Sequence, residues 1–313
     1  MSSVPIRGAV LDLGSNTFKL LLAEQRKGVL RIFHEKAYPV RLGEGVAVTG
    51  KLRPAAVHRA LKMLSLLQKK ISSYGPSQLV AVGTGALRRA RNRQTFLQSA
   101  AKILRQPLRM LSGQEEGRLI ALAARSLSKP PRPRYHIDLG GGSLEVIDSK
   151  NPKKPRIHSL NIGCVAVRDT LLPRQPPSPD EWMRARGKME AALRQLPRPN
   201  RSAQATFTGG TGHAYACLLR KKNVKARRLE NLPIRREELI HLILQLLPLS
   251  AREIARLPGM PKDRVTVALP AFLVLDEVIQ RLNLSRIRVS THGLRYGVWL
   301  AHLAKAPVRK IVR

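Results

Sequence analysis

Two stretches of this 313-residue chain align without a gap at an offset of 126 positions, Val10–Leu22 (VLDLGSNTFKLLL) and His136–Asp148 (HIDLGGGSLEVID). Asp12 falls on Asp138, Gly14 on Gly140 and Thr17 on Ser143. A repeat of this kind restricts the fold to two related halves, because each copy asks for the same local structure. In each copy an apolar, strand-like run ends in an acid, a short turn of small residues follows, and a second strand-like run begins. Glycine at 140, 141 and 142 permits positive φ and lets backbone N–H groups turn inward. A concave row of such donors suits an anion, most often phosphate. The nearby acids Asp12, Asp138 and Glu145 suit a hard divalent cation, which takes one or two carboxylates along with phosphate oxygens. Two ordinary hairpins with Gly/Asn turns are the plainer reading. Two copies with the same Asp-Leu-Gly start favour a phosphate site served by both halves.

The order of predicted elements extends the repeat. Residues 6–13, 18–25 and 28–36 read as strands separated by turn signals. A helix over 54–72 opens on Pro54, and a strand at 78–82, a helix at 91–104, a strand at 108–111 and a helix at 114–126 follow. Strands alternating with helices in this way point to an α/β domain with a mixed sheet. Ser128-Lys-Pro-Pro-Arg-Pro-Arg134 then places three prolines in seven residues, a semi-rigid connector that divides the chain into domains 1–127 and 128–313. The opening pattern restarts with strands at 135–138, 143–148 and 156–160 and a helix after Gly163. Next come a helix at 180–196 with Asp180 as its N-cap, a strand at 205–208 and a helix to Leu219. Helices at 235–247, 250–257 and 265–282 precede a strand at 287–290. The last helix, 294–304, is free to pack back on the first domain, and the tail 306–313 reads as frayed.

Charge narrows the partners. The chain carries 57 Lys+Arg against 20 Asp+Glu, a formal net charge of +37. Such a field favours a polyanion: nucleic acid, an acidic membrane surface or a polyphosphate-like substrate. The surplus is spread along the chain rather than gathered in a tail, which speaks against a dedicated nucleic-acid module and leaves nonspecific polyanion binding. An Arg-rich background composition would give the same spread. Acids are scarce: residues 1–160 hold nine, and five of them (Asp12, Glu115, Glu116, Asp138, Glu145) lie in motifs. Cys164 and Cys217 have neither metal-ligand nor CxxC spacing, so a disulfide framework and a structural zinc site are both disfavoured. With no leader-like N-terminus and an apolar run, Val267–Leu275, too short for a bilayer, the expectation is a cytoplasmic chain without a membrane partner.

Three further motifs carry chemistry. Gly83-Thr84-Gly85 ends a strand and is followed closely by Arg88, whose planar fork matches phosphate oxygens. Gly209-Gly210-Thr211-Gly212 places backbone donors at a helix start. Glu115 and Glu116 open another helix, where acids favour the dipole; a phosphoryl site also needs a base or water-positioning carboxylate beyond its metal ligands.

The motifs DLGSNTFKLLL (12–22), RLGEG (41–45), AVGTGALRRARN (81–92), LSGQEEGRLI (111–120), IDLGGGSLEVI (137–147), SLNIGCV (159–165), FTGGTG (207–212) and RVSTHGLRYGV (288–298) together resemble one family. It is the exopolyphosphatase/guanosine pentaphosphate phosphohydrolase (Ppx/GppA) family, within the actin–hexokinase–Hsp70 superfamily. The resemblance implies two ribonuclease-H-like α/β domains with an active-site cleft between them, and Mg²⁺-dependent removal of terminal phosphate from polyphosphate or pppGpp, with Mn²⁺ an alternative metal. It also implies roles: Glu116 and Arg88 catalytic; Asp138, Glu145 and Asp12 at the metal; Gly14, Ser15, Asn16, Thr17, Gly83, Thr84, Gly140, Gly141, Gly142, Ser143, Gly209, Gly210 and Thr211 on phosphate. Ala166 and Tyr296 stand where many relatives carry Arg and Glu.

The expected function is therefore an exopolyphosphatase, with inorganic polyphosphate as its substrate partner and a homodimer as one assembly it could adopt. A phosphohydrolase for pppGpp or another nucleoside polyphosphate keeps the same chemistry. A kinase of the same superfamily and a non-catalytic polyanion-binding regulator are the rivals from other classes.

Overall fold

The computed structural model describes residues 4–127, 132–225 and 228–313. The chain forms two compact units, Met1–Arg132 with His292–Arg313, and Pro133–Thr291. Residues 128–131 of the expected proline connector lie outside the described residues. His292–Arg313, counted with the second domain in the sequence-based division, belongs to the first unit.

In chain order the first unit opens with β1 (Ile6–Leu13), β2 (Thr17–Arg26), β3 (Val29–Pro39), α1 (Val46–Thr49), α2 (Pro54–Tyr74), β4 (Gln78–Gly83), α3 (Ala86–Arg89), α4 (Arg93–Leu104), β5 (Arg109–Met110) and α5 (Gly113–Leu127). The second unit holds β6 (Tyr135–Leu139), β7 (Leu144–Asp148), β8 (Arg156–Leu160), α6 (Cys164–Thr170), α7 (Pro179–Leu193), β9 (Ala203–Thr208), α8 (Gly210–Leu219), β10 (Pro233–Ile234), α9 (Arg236–Leu246), α10 (Ala251–Arg256), α11 (Ala268–Arg281) and β11 (Leu284–Val289). The chain then returns to the first unit with α12 (Leu294–His302) and β12 (Lys310–Val312).

The two sheets run β12-β3-β2-β1-β4-β5 and β10-β11-β9-β6-β7-β8. Renumbered from the start of each repeat, the first sheet contains the order 3-2-1-4-5 and the second 3-2-1-4-6-5. Both share two antiparallel pairings of consecutive strands and then parallel neighbours on the other side of the first strand, the second sheet adding the two-residue β10 antiparallel at its edge. This is the α/β, ribonuclease-H-like arrangement that the repeat and the motifs implied. The central strands β1 and β6 are buried along most of their length on both faces, as strands covered on both sides are.

In the first unit α2 and α4 cover one face of the sheet. Ala56, Ala60, Leu64, Leu67 and Ile71 form the buried stripe of α2, and Gly75 closes the helix at φ 64° in the left-handed conformation. On the other face α12 crosses α5 so closely that a Cβ on Gly297 would stand 2.0 Å from Leu119 O. Trp299 is fully buried there and donates from Nε1 to Gln25 Oε1 at 3.1 Å. The tail is not frayed. β12 pairs in parallel with β3, which would otherwise be an open edge, and Arg313 Nε donates to Glu35 Oε2 at 3.2 Å. In the second unit α7 is capped by Ser178 rather than Asp180, because Ser178 and Glu181 close a capping box and leave Asp180 in the first turn. Among the described residues no helix is long and apolar enough to cross a membrane.

Candidate active site

The chemistry-bearing residues fall into one group in each unit. In the first unit, Asp12 ends β1 and is 3% exposed, and Ser15, Asn16 and Thr17 are equally sheltered. The turn is pinned by its own carbonyls. Gly14 N–H donates to Thr17 O at 3.2 Å, Gly43 N–H to Ser15 O at 2.8 Å, and Val40 and Arg41 N–H to Asn16 O at 3.0 and 2.9 Å. A trans peptide carries its N–H opposite its C=O, so anchoring Ser15 O and Asn16 O turns the N–H groups of Asn16 and Thr17 the other way. Asn16 Nδ2 is buried without a hydrogen-bond partner, which is what a donor kept for a ligand looks like. Ser15 Oγ accepts from Ala86 N–H at 2.8 Å and so joins this turn to the one at 83–86.

Within that second turn the glycines divide their work. Gly83 lies in β4, and a Cβ there would meet Met110 Sδ at 2.7 Å, so its smallness serves packing. Gly85 takes φ 46° and starts α3. Thr84 is buried close to Gly14. Arg88 Nη1 donates to Glu116 Oε2 and, at 3.2 Å, to Leu111 O. The two acids opening α5 separate. Glu115 is at the surface and caps the helix: its own N–H donates to Ser112 Oγ at 3.1 Å, and its carboxylate accepts from Ser112 N–H at 2.8 Å and from Arg109 Nη2 at 3.2 Å. The bonds from Ser112 and then Arg109 hold its carboxyl below the usual range. Glu116 is 6% exposed and faces Arg88.

In the second unit, positive φ at the triple glycine is not what the structure uses: none of Gly140, Gly141 and Gly142 is left-handed. The reason for small residues here is close approach. A Cβ on Gly163 would stand 2.4 Å from Ser143 N and 2.5 Å from the carbonyl carbons of Gly141 and Gly142. The start of α6 therefore sits on the turn's backbone. Cys164 N–H donates to Gly140 O, and Val165 and Ala166 N–H to Gly141 O, at 2.9 to 3.1 Å. By the same planar-peptide argument, Gly141 and Gly142 N–H point away from α6. Both units thus use one device: the segment after the third strand grips the turn's carbonyls and frees its N–H groups on the opposite side.

Gly209, at φ 111°, brings the start of α8 against β6. A Cβ there would meet Leu139 O at 2.7 Å and Asp138 Oδ1 at 3.3 Å. Thr211 Oγ1 is buried and unpartnered. Arg264, only 9% exposed, lays its guanidinium against Gly210, where a Cβ would come within 2.0 Å of it. Arg264 and Gly163 are site elements to which the sequence assigns no role, whereas Ser15, expected on phosphate, uses its Oγ to join two turns. Arg264 lies in a segment with little motif character, and Gly163 showed only as a glycine at a strand–helix junction.

The strand registers decide where a cation fits. Across the second sheet Thr208, Asp138, Glu145 and Ser159 are successive cross-strand neighbours, a row of oxygen-bearing side chains. Ser159 Oγ donates to Glu145 Oε1 at 2.9 Å. Two carboxylates directly opposite each other repel, and a hard cation taking oxygen ligands relieves that repulsion. The equivalent row in the first unit is Val82, Asp12, Lys19 and Ala37. There Lys19 Nζ stands 3.8 Å from Asp12 Oδ2, so an ammonium occupies the position that Glu145 fills in the second unit. The donor set for a divalent metal therefore fits Asp138 and Glu145 better than Asp12. Among the described residues no three His, Cys, Asp or Glu side chains gather as a self-sufficient metal cluster.

The profile of the Ppx/GppA phosphatase family matches residues 21–306. A Haemophilus influenzae protein provisionally named an exopolyphosphatase is 28% identical over 291 residues, covering 93% of this chain and 89% of that protein. A solved Aquifex aeolicus PPX-GPPA enzyme is similar with a TM-score of 0.77 and 26% identity, over 96% of this chain and 100% of that one. A solved exopolyphosphatase from Cytophaga hutchinsonii shares the fold, with a TM-score of 0.81 at 23% identity over 95% and 97% of the two chains.

Proposed function

The chain belongs to the Ppx/GppA phosphatase family, enzymes that hydrolyse phosphoanhydride bonds, and from that premise we propose that it is an exopolyphosphatase releasing the terminal phosphate of inorganic polyphosphate to water. The observation that carries the reading is the pairing of Arg88 with a buried Glu116 in one unit and the oxygen row around Asp138 and Glu145 in the other. Phosphoryl transfer leaves little covalent work to the protein, so positioning and charge neutralisation are what the site must supply.

In this proposal the freed N–H groups of Asn16, Thr17, Gly141 and Gly142, with Thr84, Ser143, Gly209, Gly210, Thr211 and Asn16 Nδ2, bind phosphate oxygens. Arg264 reinforces the Gly209–Thr211 turn with a fixed positive charge. Glu116 orients the attacking water and accepts its proton, while Arg88 holds Glu116 and offers its remaining donors to the transferring phosphoryl. Phosphatases of this family are generally metal-dependent. Asp138 and Glu145 are the residues proposed to hold the ion, with Mg²⁺ the first choice and Mn²⁺ the second; when bound, it neutralises charge on the phosphoryl oxygens. The net charge of +37 favours a long polyanion over a single nucleotide.

The test is phosphate release from long polyphosphate and from pppGpp, with and without Mg²⁺, by wild type and Glu116→Gln. A Mg²⁺-dependent turnover that falls by at least about 10²-fold in Glu116→Gln is expected. Unchanged turnover in the variant removes Glu116 from the chemistry, and a higher kcat/KM on pppGpp moves the substrate to the nucleotide.

A further inference from the structure

The first unit carries an aromatic and basic face that the hydrolytic reading does not use. Of five Phe, five Tyr and two Trp, only Phe33, Tyr38, Tyr74 and Trp182 are not buried. The first three sit together on the α2 side of β3. Phe33 is 48% exposed. It is the extra residue of a β-bulge, skipped between the pairs Ala23↔Ile32 and Leu22↔His34, and a bulge re-aims the side chain it carries. Its ring lies 5.6 Å from that of Tyr74 at the end of α2.

Cations interleave with these rings. The Arg31 guanidinium lies 5.3 Å from the centre of the Phe33 ring, Arg7 lies 4.6 Å from that of Tyr74, and the Lys36 ammonium lies 5.4 Å from that of Tyr38. His34 stacks on Tyr38 and bonds its hydroxyl at 2.8 Å. Glu24, the register partner of both Arg7 and Arg31, also lies near Tyr74, and the cations Arg7, Arg31 and Lys36 outnumber it. Rings alternating with exposed cations along one strand match what single-stranded nucleic acid requires, with π-faces for bases and charges for the phosphates between them. A duplex keeps its bases stacked on each other, and polyphosphate has no π-face.

We propose that this face, formed by β3 with Arg7 and Tyr74, binds single-stranded nucleic acid, stacking bases on Phe33 and Tyr74 and pairing phosphates with Arg7, Arg31 and Lys36. From residue 31 to 38 the strand spans roughly 23 Å, room for a few nucleotides. The proposal is independent of the phosphatase reading.

The experiment is fluorescence anisotropy on the full chain with a labelled oligoadenylate of about ten nucleotides and an abasic oligomer of equal charge. Wild type is expected to bind the oligoadenylate roughly tenfold or more tightly than the abasic oligomer. Phe33→Ala should erase most of that difference, Phe33→Trp should restore it, and Tyr74→Leu should act like Phe33→Ala through a second site. Arg31→Ala should weaken both oligomers alike and reduce the salt slope by about one. Phosphate release by Phe33→Ala should equal that of wild type, which also shows that the variant is folded. Equal affinity for the two oligomers, or a base preference that survives both aromatic substitutions, overturns the proposal.

Discussion

At the scale of single residues, the informative side chains are those whose partners differ from what their position alone suggests. Arg88 is bonded at once to a carboxylate and to a backbone carbonyl, Leu111 O. Both bonds leave from Nη1, and lysine would keep the charge but lose the planar guanidinium whose other nitrogens are proposed to meet the phosphoryl. Arg88→Lys is therefore expected to lower kcat for phosphate release by about 10²-fold, with a smaller change in KM. Steady-state kinetics on polyphosphate checks this. His136 gives a pH prediction unconnected with catalysis. It is buried on β6, bonds Thr206 Oγ1 at 2.7 Å through Nδ1, and burial holds its pKa down to about 4. The unfolded chain takes up this proton near pH 6.5, the folded chain only near 4, so the stabilisation from keeping His136 neutral is complete above pH 6.5 and is lost as pH falls towards 4. The loss approaches about 3 kcal/mol. Urea unfolding at pH 7.5 and pH 5 should show the slope, and His136→Gln should flatten it.

At the scale of elements, the registers of the two sheets make the repeat quantitative and show where it breaks. The Asp138–Glu145 opposition is unfavourable without a cation, whereas Asp12–Lys19 is already balanced. Glu145→Gln should leave the metal-free protein as stable or more stable by about 0.2–1 kcal/mol, while abolishing Mg²⁺-dependent hydrolysis. Added Mg²⁺ should raise the Tm of wild type and not of the variant. Gly163→Ala drives a Cβ into the backbone of the 140–143 turn and should cost about 1–3 kcal/mol, with loss of activity beyond the loss of folded protein; differential scanning calorimetry beside the phosphate assay separates the two. Much of this was legible in the sequence, since the aligned Asp-Leu-Gly turns, the alternation of strands and helices and the acids set in motifs are local patterns. What was not legible depends on contacts between distant segments. The grip of α6 on the Gly140–Gly142 carbonyls, the packing role of Gly83 against Met110 and the guanidinium of Arg264 on Gly210 all lie in tertiary space. The order of the tail is hidden from the sequence for the same reason: three residues have no strand signal of their own, and β3 supplies the pairing.

At the scale of the whole molecule, the net charge of +37 has a measurable consequence for any polyanionic substrate. Affinity for long polyphosphate should fall steeply between 50 and 200 mM salt, by analogy with counterion release from nucleic acids, while kcat at saturation changes little. A flat salt response would assign the surplus charge to background composition. The path of the chain has a consequence of another kind. Residues Pro133–Thr291 form one continuous unit, whereas the first unit is closed only by His292–Arg313, whose Trp299 and Gly297 pack on β1 and α5. On a ribosome adding about 5–20 residues per second, the N-terminal segment waits roughly ten to thirty seconds for its last helix. Throughout that interval β1 and α5 lack the helix that packs on them. The inserted unit, though second in sequence, is the first able to finish folding. The N-terminal half is thus the part left incomplete for longest during synthesis.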